Sequence, residues 1–557
     1  MYRINGLSRR NVNRNIKARV DEHMKDISNS GDFNVLSNSQ GLARKRIKVT
    51  DDNLNQSVEQ SPCLGLNFSE SDTSDFNILS DSYSTSSEIE ESILIIPDKS
   101  TYDMDLQKQL SACFMKHNTT HALINDLLHI LKPHYALPND ARILLKTPQS
   151  TFVKKICGGD FVYFGLRPAI KEKIKGGLVE NAMILDLSFN IDGLPLYKSS
   201  NKQFWTILCK IDQTLDGRPF PVAIFCGSSK PTNVKEFLSD FIDELASLAD
   251  GQSDIGYQIN VKSFICDSPA RSFVKCIKNH NGYFGCERCW QKGKWFSRMT
   301  FQDCNSPKRK DSDFLKFSDD DDNEHIRDKL PLLKLNLGLI TQFPLDYMHL
   351  VCLGVMRKLL VSWIRGPLGI RLCSRDIDIL SNNLISFAKY IPNELPRKPR
   401  SLREVDRWKA TEFRMFLLYL GPIVLKNLLS HDCYAHFLSL HIAIRILSNK
   451  VCIAEHLPYA RQLLLNFVKK GRSLYGPEFL VYNVHNLIHL GDDVEKYGPL
   501  DSFSSFPFEN YLGQLKGLLR TPNKPLQQIY RRILEMKESN NINIGENIPE
   551  FRVVSAS

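Results

Sequence analysis

No apolar run in this 557-residue chain is long enough to cross a bilayer as a helix, so an integral α-helical membrane protein is excluded. No secretory signal is read at the first residues, and the 14 cysteines follow no regular framework. Thiols and metal ligands in a reducing compartment are therefore expected. No internal repeat is visible, so the chain is read as distinct segments and not as an array. Large apolar residues are scarce over 28–98, where SESDTSD and SDSYSTSSEIEES cannot offset the entropy of ordering. A disordered linker with phosphorylation sites is expected there. The first hundred residues also lack a complete zinc finger or helix-turn-helix module.

What is present fits a globular protein of two to four domains, with 42% hydrophobic and 24% charged residues. A net charge of +10 permits a polyanionic partner without demanding one. Residues 1–20 are rich in Arg and Asn and read as a basic arm or a solvated tail. RKRIK at 44–48 is a cluster of the nuclear-import kind, from which a nuclear location is expected.

Along the chain, 1–100 is read as disordered, a basic arm and then the Ser/acidic linker. Over 101–160, LQKQLSACFMKH and HALINDLLHILKPH have helical spacing and make a small helical lead-in. The next segment, 161–285, turns to strands: AMILDLSFNID, FWTILCKID and RPFPVAIFCG, then a helix with Phe237, Phe241 and Leu245 on one face, then a strand ending on Asp267. That order, three strands, a helix and a fourth strand, is the one found in an RNase H-like α/β core with a mixed sheet. Residues 286–500 carry a Cys-x-x-Cys knuckle, an acidic loop expected to be mobile, and a large all-α insertion. Over 501–540, FPFENYLGQLKGLLR opens a closing core helix, and 541–557 is a polar tail.

Two constellations carry chemistry. Cys286 and Cys289, with Tyr283, Phe284 and Trp290 expected as their hydrophobic shell, can pair with His485 and His489 at i, i+4 spacing to close a structural Zn²⁺ site. Two free thiols and two ordinary histidines are the alternative. Asp192, Asp267 and Glu509 are candidates for Mg²⁺ or Mn²⁺ ligands, because phosphodiester chemistry needs both the attacking and leaving oxygens neutralised and hard cations take carboxylate oxygen. Each acid has a plainer reading: Asp192-Gly193 as a hairpin turn, Asp267 as a helix cap, and Glu509 as one acid among many. Asp186, on the same strand, is the rival to Asp192. Asp346 and His349 are possible accessory residues at a helix start, and Lys516, Arg520, Lys524, Arg531 and Arg532 form a basic trail suited to DNA.

Taken in order, LDLSFNIDGLPLYKSSNKQFWTILCKID, CDSPARSF, GCERC, LDYMHLVCLGVMRKLL, HNLIHL and FPFENYLGQLK resemble the transposases of CACTA (En/Spm-like) DNA transposons. They are more distantly similar to the wider DDE group that includes hAT transposases and the recombination-activating recombinase. The resemblance covers 105–540. It implies catalysis by Asp192, Asp267 and Glu509 with two divalent metals, a zinc site at Cys286, Cys289, His485 and His489, and a recurring Asp346-x-x-His349 signature. It also implies cleavage of DNA at a transposon end, strand transfer by the freed 3′-hydroxyl, and a homo-oligomer. The missing N-terminal module is a departure: either the basic arm and the insertion suffice, or end recognition is lost or belongs to a partner. The chain also stops soon after the basic trail, which leaves open whether the family's C-terminal portion is missing. The alternatives are a domesticated, catalytically inactive DNA- or chromatin-binding protein and a zinc-stabilised interaction scaffold.

Overall fold

The computed structural model describes residues 99–543, apart from 180–181, 250–253, 316–324 and 396. The basic arm, the Ser/acidic linker, RKRIK, most of the acidic loop and nearly all of the polar tail lie outside the described residues. The fold is mixed α/β, a mixed sheet embedded among many helices. No helix among the described residues is long and apolar enough to cross a membrane.

The lead-in opens with helices α1 (Lys99–Lys116) and α2 (His121–Leu131). Thr120 caps α2 by accepting from the Leu123 amide, and the helix ends at Leu131, two residues before Pro133. The lead-in is not purely helical, because β1 (Lys154–Ile156) and β2 (Gly159–Tyr163) form a hairpin that joins the main sheet. These strands are too short for a periodic signal. Helix α3 (Arg167–Lys175) follows.

Then come β3 (Ile184–Pro195), β4 (Gln203–Ile211), β5 (Phe220–Gly227), α4 (Val234–Ala249), β6 (Gln258–Phe264) and α5 (Ser268–Val274). The sheet order is β1-β2-β5-β4-β3-β6, antiparallel throughout except for the parallel β3–β6 pair. Both faces are covered, and this explains the continuous apolar runs of β4 and β5. On one face lie Leu185, Leu187, Phe189 and Ile191 of β3 with Phe237, Phe241 and Leu245 of α4. Phe189 stacks on Phe264 at 5.2 Å and meets Phe241 edge-on at 5.0 Å, locking β3, β6 and α4 together. Each such pair adds about 0.5–1.5 kcal/mol beyond simple burial. The alternation of β3 sends Asp186, Ser188, Asn190 and Asp192 to the opposite side.

That opposite side is roofed by the helical block. Phe204, Leu208 and Ile224 of the sheet share a core with helices from the second half of the chain. The block includes a small hairpin, β7 (Lys294–Phe296) with β8 (Arg298–Thr300), a π-helix over Met348–Met356, α6 (Arg357–Arg365) and α7 (Ser374–Ser386). It continues through α8 (His431–Leu447), α9 (Lys450–Tyr475) and α10 (Leu487–Tyr497). Helix α11 (Phe506–Gly517) returns to the sheet with Phe508, Leu512 and Leu515 buried. The last helix, α12 (Pro525–Asn543), packs back on the lead-in, where Met536 joins the small core of α1 and α2.

Candidate functional site: two side-chain clusters from distant segments

Asp192 sits inside β3, not in a turn: it pairs with Thr206 of β4, and Gly193 pairs with Trp205. Glycine follows Asp192 because the Trp205 indole crosses it, leaving 3.1 Å to the place a Cβ would take. The hairpin-turn reading is thereby corrected. Asp186 lies six residues back, about 20 Å along the strand. Its carboxylate is already engaged by Gln213 at 3.0 Å and Asn260 at 2.6 Å. The strand expected to end on Asp267 stops at Phe264, and Asp267, past Ile265 and Cys266, caps α5 by accepting from the Ala270 amide at 2.7 Å through one oxygen. A capping carboxylate keeps its second oxygen available, so the cap and a further role are compatible.

Glu509 stands in the first turn of α11. Ligand atoms of Asp192, Glu509 and His349 all lie within 4.8 Å of one another. Asp267 is not in that tight set, though its charge acts on both Asp192 and His349. The Asp192 carboxyl is pushed well above its ordinary range, first by burial and then by the negative charges of Asp267 and Glu509. Like charges gathered around a buried carboxylate are costly unless a cation joins them.

Asp346 organises the other side. Its Oδ2 accepts from the His349 amide at 2.9 Å and from His349 Nδ1 at 2.6 Å. Its Oδ1 accepts from the Ser505 amide at 2.7 Å. Ser505 in turn accepts the Glu509 amide through its carbonyl, at the start of α11. One buried carboxylate therefore fixes both His349 and the helix carrying Glu509. Burial alone would raise the Asp346 carboxyl, but the bonds from His349 and Ser505 outweigh it and hold it low. Burial alone would lower the His349 pKa; its hydrogen bond to Asp346, with the charges of Asp346, Asp192 and Asp267, raises it to about 9. His349 Nε2 then faces Glu509 at 3.9 Å. His349 lies in the first turn of the π-helix, a geometry frequent at functional sites.

The second cluster is Cys286, Cys289, His485 and His489, all buried. Cys289 Sγ stands 3.5 Å from Cys286 Sγ and 3.3 Å from His485 Nε2, and Cys286 Sγ stands 4.0 Å from His489 Nε2. Tetrahedral zinc with its usual bond lengths needs ligand separations of about 3.3–3.8 Å; two of these distances fall in that range and the third lies just beyond it, so a small inward shift of Cys286 or His489 would complete the fit. The Cys289 thiol is pulled down, first by its hydrogen bond with Cys286, against burial and with help from the Gln291 amide and the Arg309 charge. Burial keeps His489 toward its neutral, ligating form. The two histidines sit on adjoining helical segments, Tyr482–His485 and α10, and not on one continuous helix.

The knuckle's packing differs from expectation. Tyr283 is 51% exposed and Trp290 44%, and the buried shell is Met299, Phe301 and Tyr482. Instead Trp290 stacks on the Arg309 guanidinium at 4.1 Å. Arg309 Nε meanwhile donates to the carbonyls of Cys286 and Cys289 at 3.2 and 3.1 Å.

The basic trail is narrower than the sequence suggested. Arg532 is buried, with its guanidinium on Glu535 and the Thr119 carbonyl, both at 2.7 Å, so it is a structural tie and not a DNA contact. Lys516 reaches the Pro195 carbonyl at the end of β3, and Arg520 the Asn118 carbonyl. Lys524 and Arg531 are exposed and line one shallow cavity with Thr151 and Asn523.

No protein-family model matches the chain, and a comparison with curated proteins likewise gives no match.

Proposed function

We propose that this chain is a DDE-type, CACTA-like DNA transposase, or an enzyme derived from one, that cleaves and transfers DNA strands with divalent metal. The observation that carries the reading is the meeting of Asp192 and Glu509, from distant parts of the chain, around His349. The sheet supports it as well. The order β5-β4-β3-β6, with β6 parallel to β3 and α4 before β6, is that of an RNase H-like core. The helical block would then be an insertion between the second and third acids, and the β1–β2 hairpin an extension beyond β5.

In this reading Asp192 and Glu509 hold Mg²⁺ or Mn²⁺ with Asp267 beside them, and the cation supplies charge neutralisation at the attacking and leaving oxygens. Asp346 fixes the His349 ring through Nδ1, so Nε2 is left to donate to a phosphate oxygen. The Cys286, Cys289, His485 and His489 site holds Zn²⁺ as a closed structural clamp. Lys516, Arg520, Lys524 and Arg531 track the DNA backbone, a homo-oligomer follows from joining two DNA ends, and a nuclear location from the RKRIK cluster.

The test is nicking of supercoiled plasmid in Mn²⁺ by the full chain and by Asp267→Asn. Nicking in the parent that is lost in the variant is expected, and equal activity in both rules the assignment out. Metal-independent DNA binding with no nicking in either would favour the second reading, a domesticated DNA- or chromatin-binding protein. The lack of a DNA-reading module in the first hundred residues motivates that reading.

A further inference from the structure

Between the two knuckle cysteines stand two charged residues that face the protein interior. Glu287 is 2% exposed, is ion-paired with Arg271 through Nε at 2.7 Å, and accepts from Lys275 Nζ at 2.8 Å and the Tyr482 hydroxyl at 2.9 Å. Arg271 and Lys275 are both buried, one on α5 and one at its C-terminal cap, and α5 begins at the Asp267 cap. Arg271 also donates to the carbonyls of Cys266 and Pro344, at 2.9 and 3.3 Å.

Arg288 points the other way. It grips Asp493 of α10 with two bonds of 3.0 Å and the Phe343 carbonyl with one of 2.6 Å. Asp493 then accepts from the Leu345 amide at 2.8 Å, one residue before Asp346. From Asp346 the bonds lead to His349 and to Ser505 at the start of the Glu509 helix.

Desolvation cancels most of what a buried ion network contributes to stability, so such a network mainly fixes geometry. Resting on the reading of Asp192 and Glu509 as cation ligands, we propose that Glu287 and Arg288 are positioning residues that couple closure of the Cys286–Cys289–His485–His489 clamp to the geometry of the acidic cluster. One arm runs through α5 to Asp267, the other through residues 343–346 to His349 and Glu509. Zinc held at the clamp would then set cation affinity at a site none of its ligands touches.

The test uses the full chain, with Mn²⁺ binding read by electron paramagnetic resonance, zinc content by elemental analysis and folding by thermal melting. Arg288→Lys keeps the charge but loses the two-pronged grip. It is expected to retain one zinc and a parental melt while its Mn²⁺ affinity falls roughly tenfold, the usual scale for a lost outer-shell partner. A second measurement needs no mutation: stripping zinc from the parent should weaken Mn²⁺ binding to a similar degree, and restoring zinc should recover it. Parental Mn²⁺ affinity in a zinc-loaded, folded Arg288→Lys protein overturns the coupling. So does undiminished affinity in stripped parent, which alone decides if the variant fails to fold. Should zinc-loaded parent bind no Mn²⁺ at all, the cation reading of the acids is what fails, and the coupling falls with it.

Discussion

Replacing Asp192 by Asn should stabilise the metal-free protein and abolish its response to divalent metal. Asp192 and Glu509 carboxylate oxygens lie within 4.8 Å, and Asp192 is 8% exposed. Two full unit charges at that distance repel by about 3 kcal/mol at an effective dielectric of 20, an upper limit here because burial and its neighbours hold the Asp192 carboxyl toward its protonated form. Glu509 is 37% exposed on its side chain, so solvent screens part of this and about 1–2 kcal/mol remains. The His349 cation offsets some of the repulsion, so relief in Asp192→Asn should sit at the lower end. The Gly193 amide, which donates to Asp192 Oδ1 at 2.6 Å, keeps an acceptor in Asn. In the parent, Mn²⁺ at about a hundred times its dissociation constant should add about 2.7 kcal/mol. At this chain size 1 kcal/mol moves the midpoint by about 2 °C or less. Thermal melts in chelator and in Mn²⁺ should therefore show the variant slightly above the parent without metal and without a metal shift. A variant that melts well below the parent in chelator and keeps the full Mn²⁺ shift would refute the shared-cation geometry.

Asp346→Asn breaks the acceptor pairing with His349 or with Ser505 and should cost about 3 kcal/mol in urea unfolding, the scale of a lost charge-assisted bond plus an unsatisfied donor; plasmid nicking should fall with it. Cys289→Ser removes a clamp thiolate and should lower zinc content well below one per chain, with a loss of several kcal/mol in stability, read by elemental analysis and melting. Lys524→Glu and Arg531→Glu should weaken DNA binding and flatten its salt dependence by about one unit of slope for each phosphate no longer neutralised. Arg532→Ala should leave that slope alone and lower stability by about 3 kcal/mol, because buried Glu535 loses its guanidinium and keeps only His121 and Thr147 as partners. Fluorescence anisotropy across a salt series separates the two outcomes.

The core strands and α4 were legible because their signals are local: apolar runs, bounding turn residues, and a helical stripe at Phe237, Phe241 and Leu245. The β1–β2 hairpin was not, since its strands of three and five residues carry too little pattern. Asp192 and Glu509 could be named from order and type, and the Cys and His pairs from spacing. What a linear reading cannot supply is which groups share a volume. Arg532 resembled its basic neighbours until its partners Glu535 and Thr119 were seen. Tyr283 and Trp290 resembled a core until Met299, Phe301 and Tyr482 filled it. Asp346 had a usable signal, an acid three residues before a histidine, which fits a cap; its hold on Ser505 comes from tertiary structure alone.

A centre assembled from β3, the cap of α5 and the start of α11 faces a particular physical difficulty. Its acids repel one another, so the site favours opening unless something outside it holds the segments in place. Asp192 is held by the sheet, because β3 pairs with β4 through Asp192 and with β6 as far as Phe189, which stacks on Phe264. Glu509 has no such support from strand pairing; the start of its helix is held by Ser505 on Asp346. Asp346 in turn directly follows Leu345, which is tied through Asp493 to Arg288 in the knuckle. The helical block thus does more than cover the sheet. It carries the hydrogen bonds that set the one acid the sheet cannot set, and damage at the knuckle should be felt at Glu509 before it is felt at Asp192.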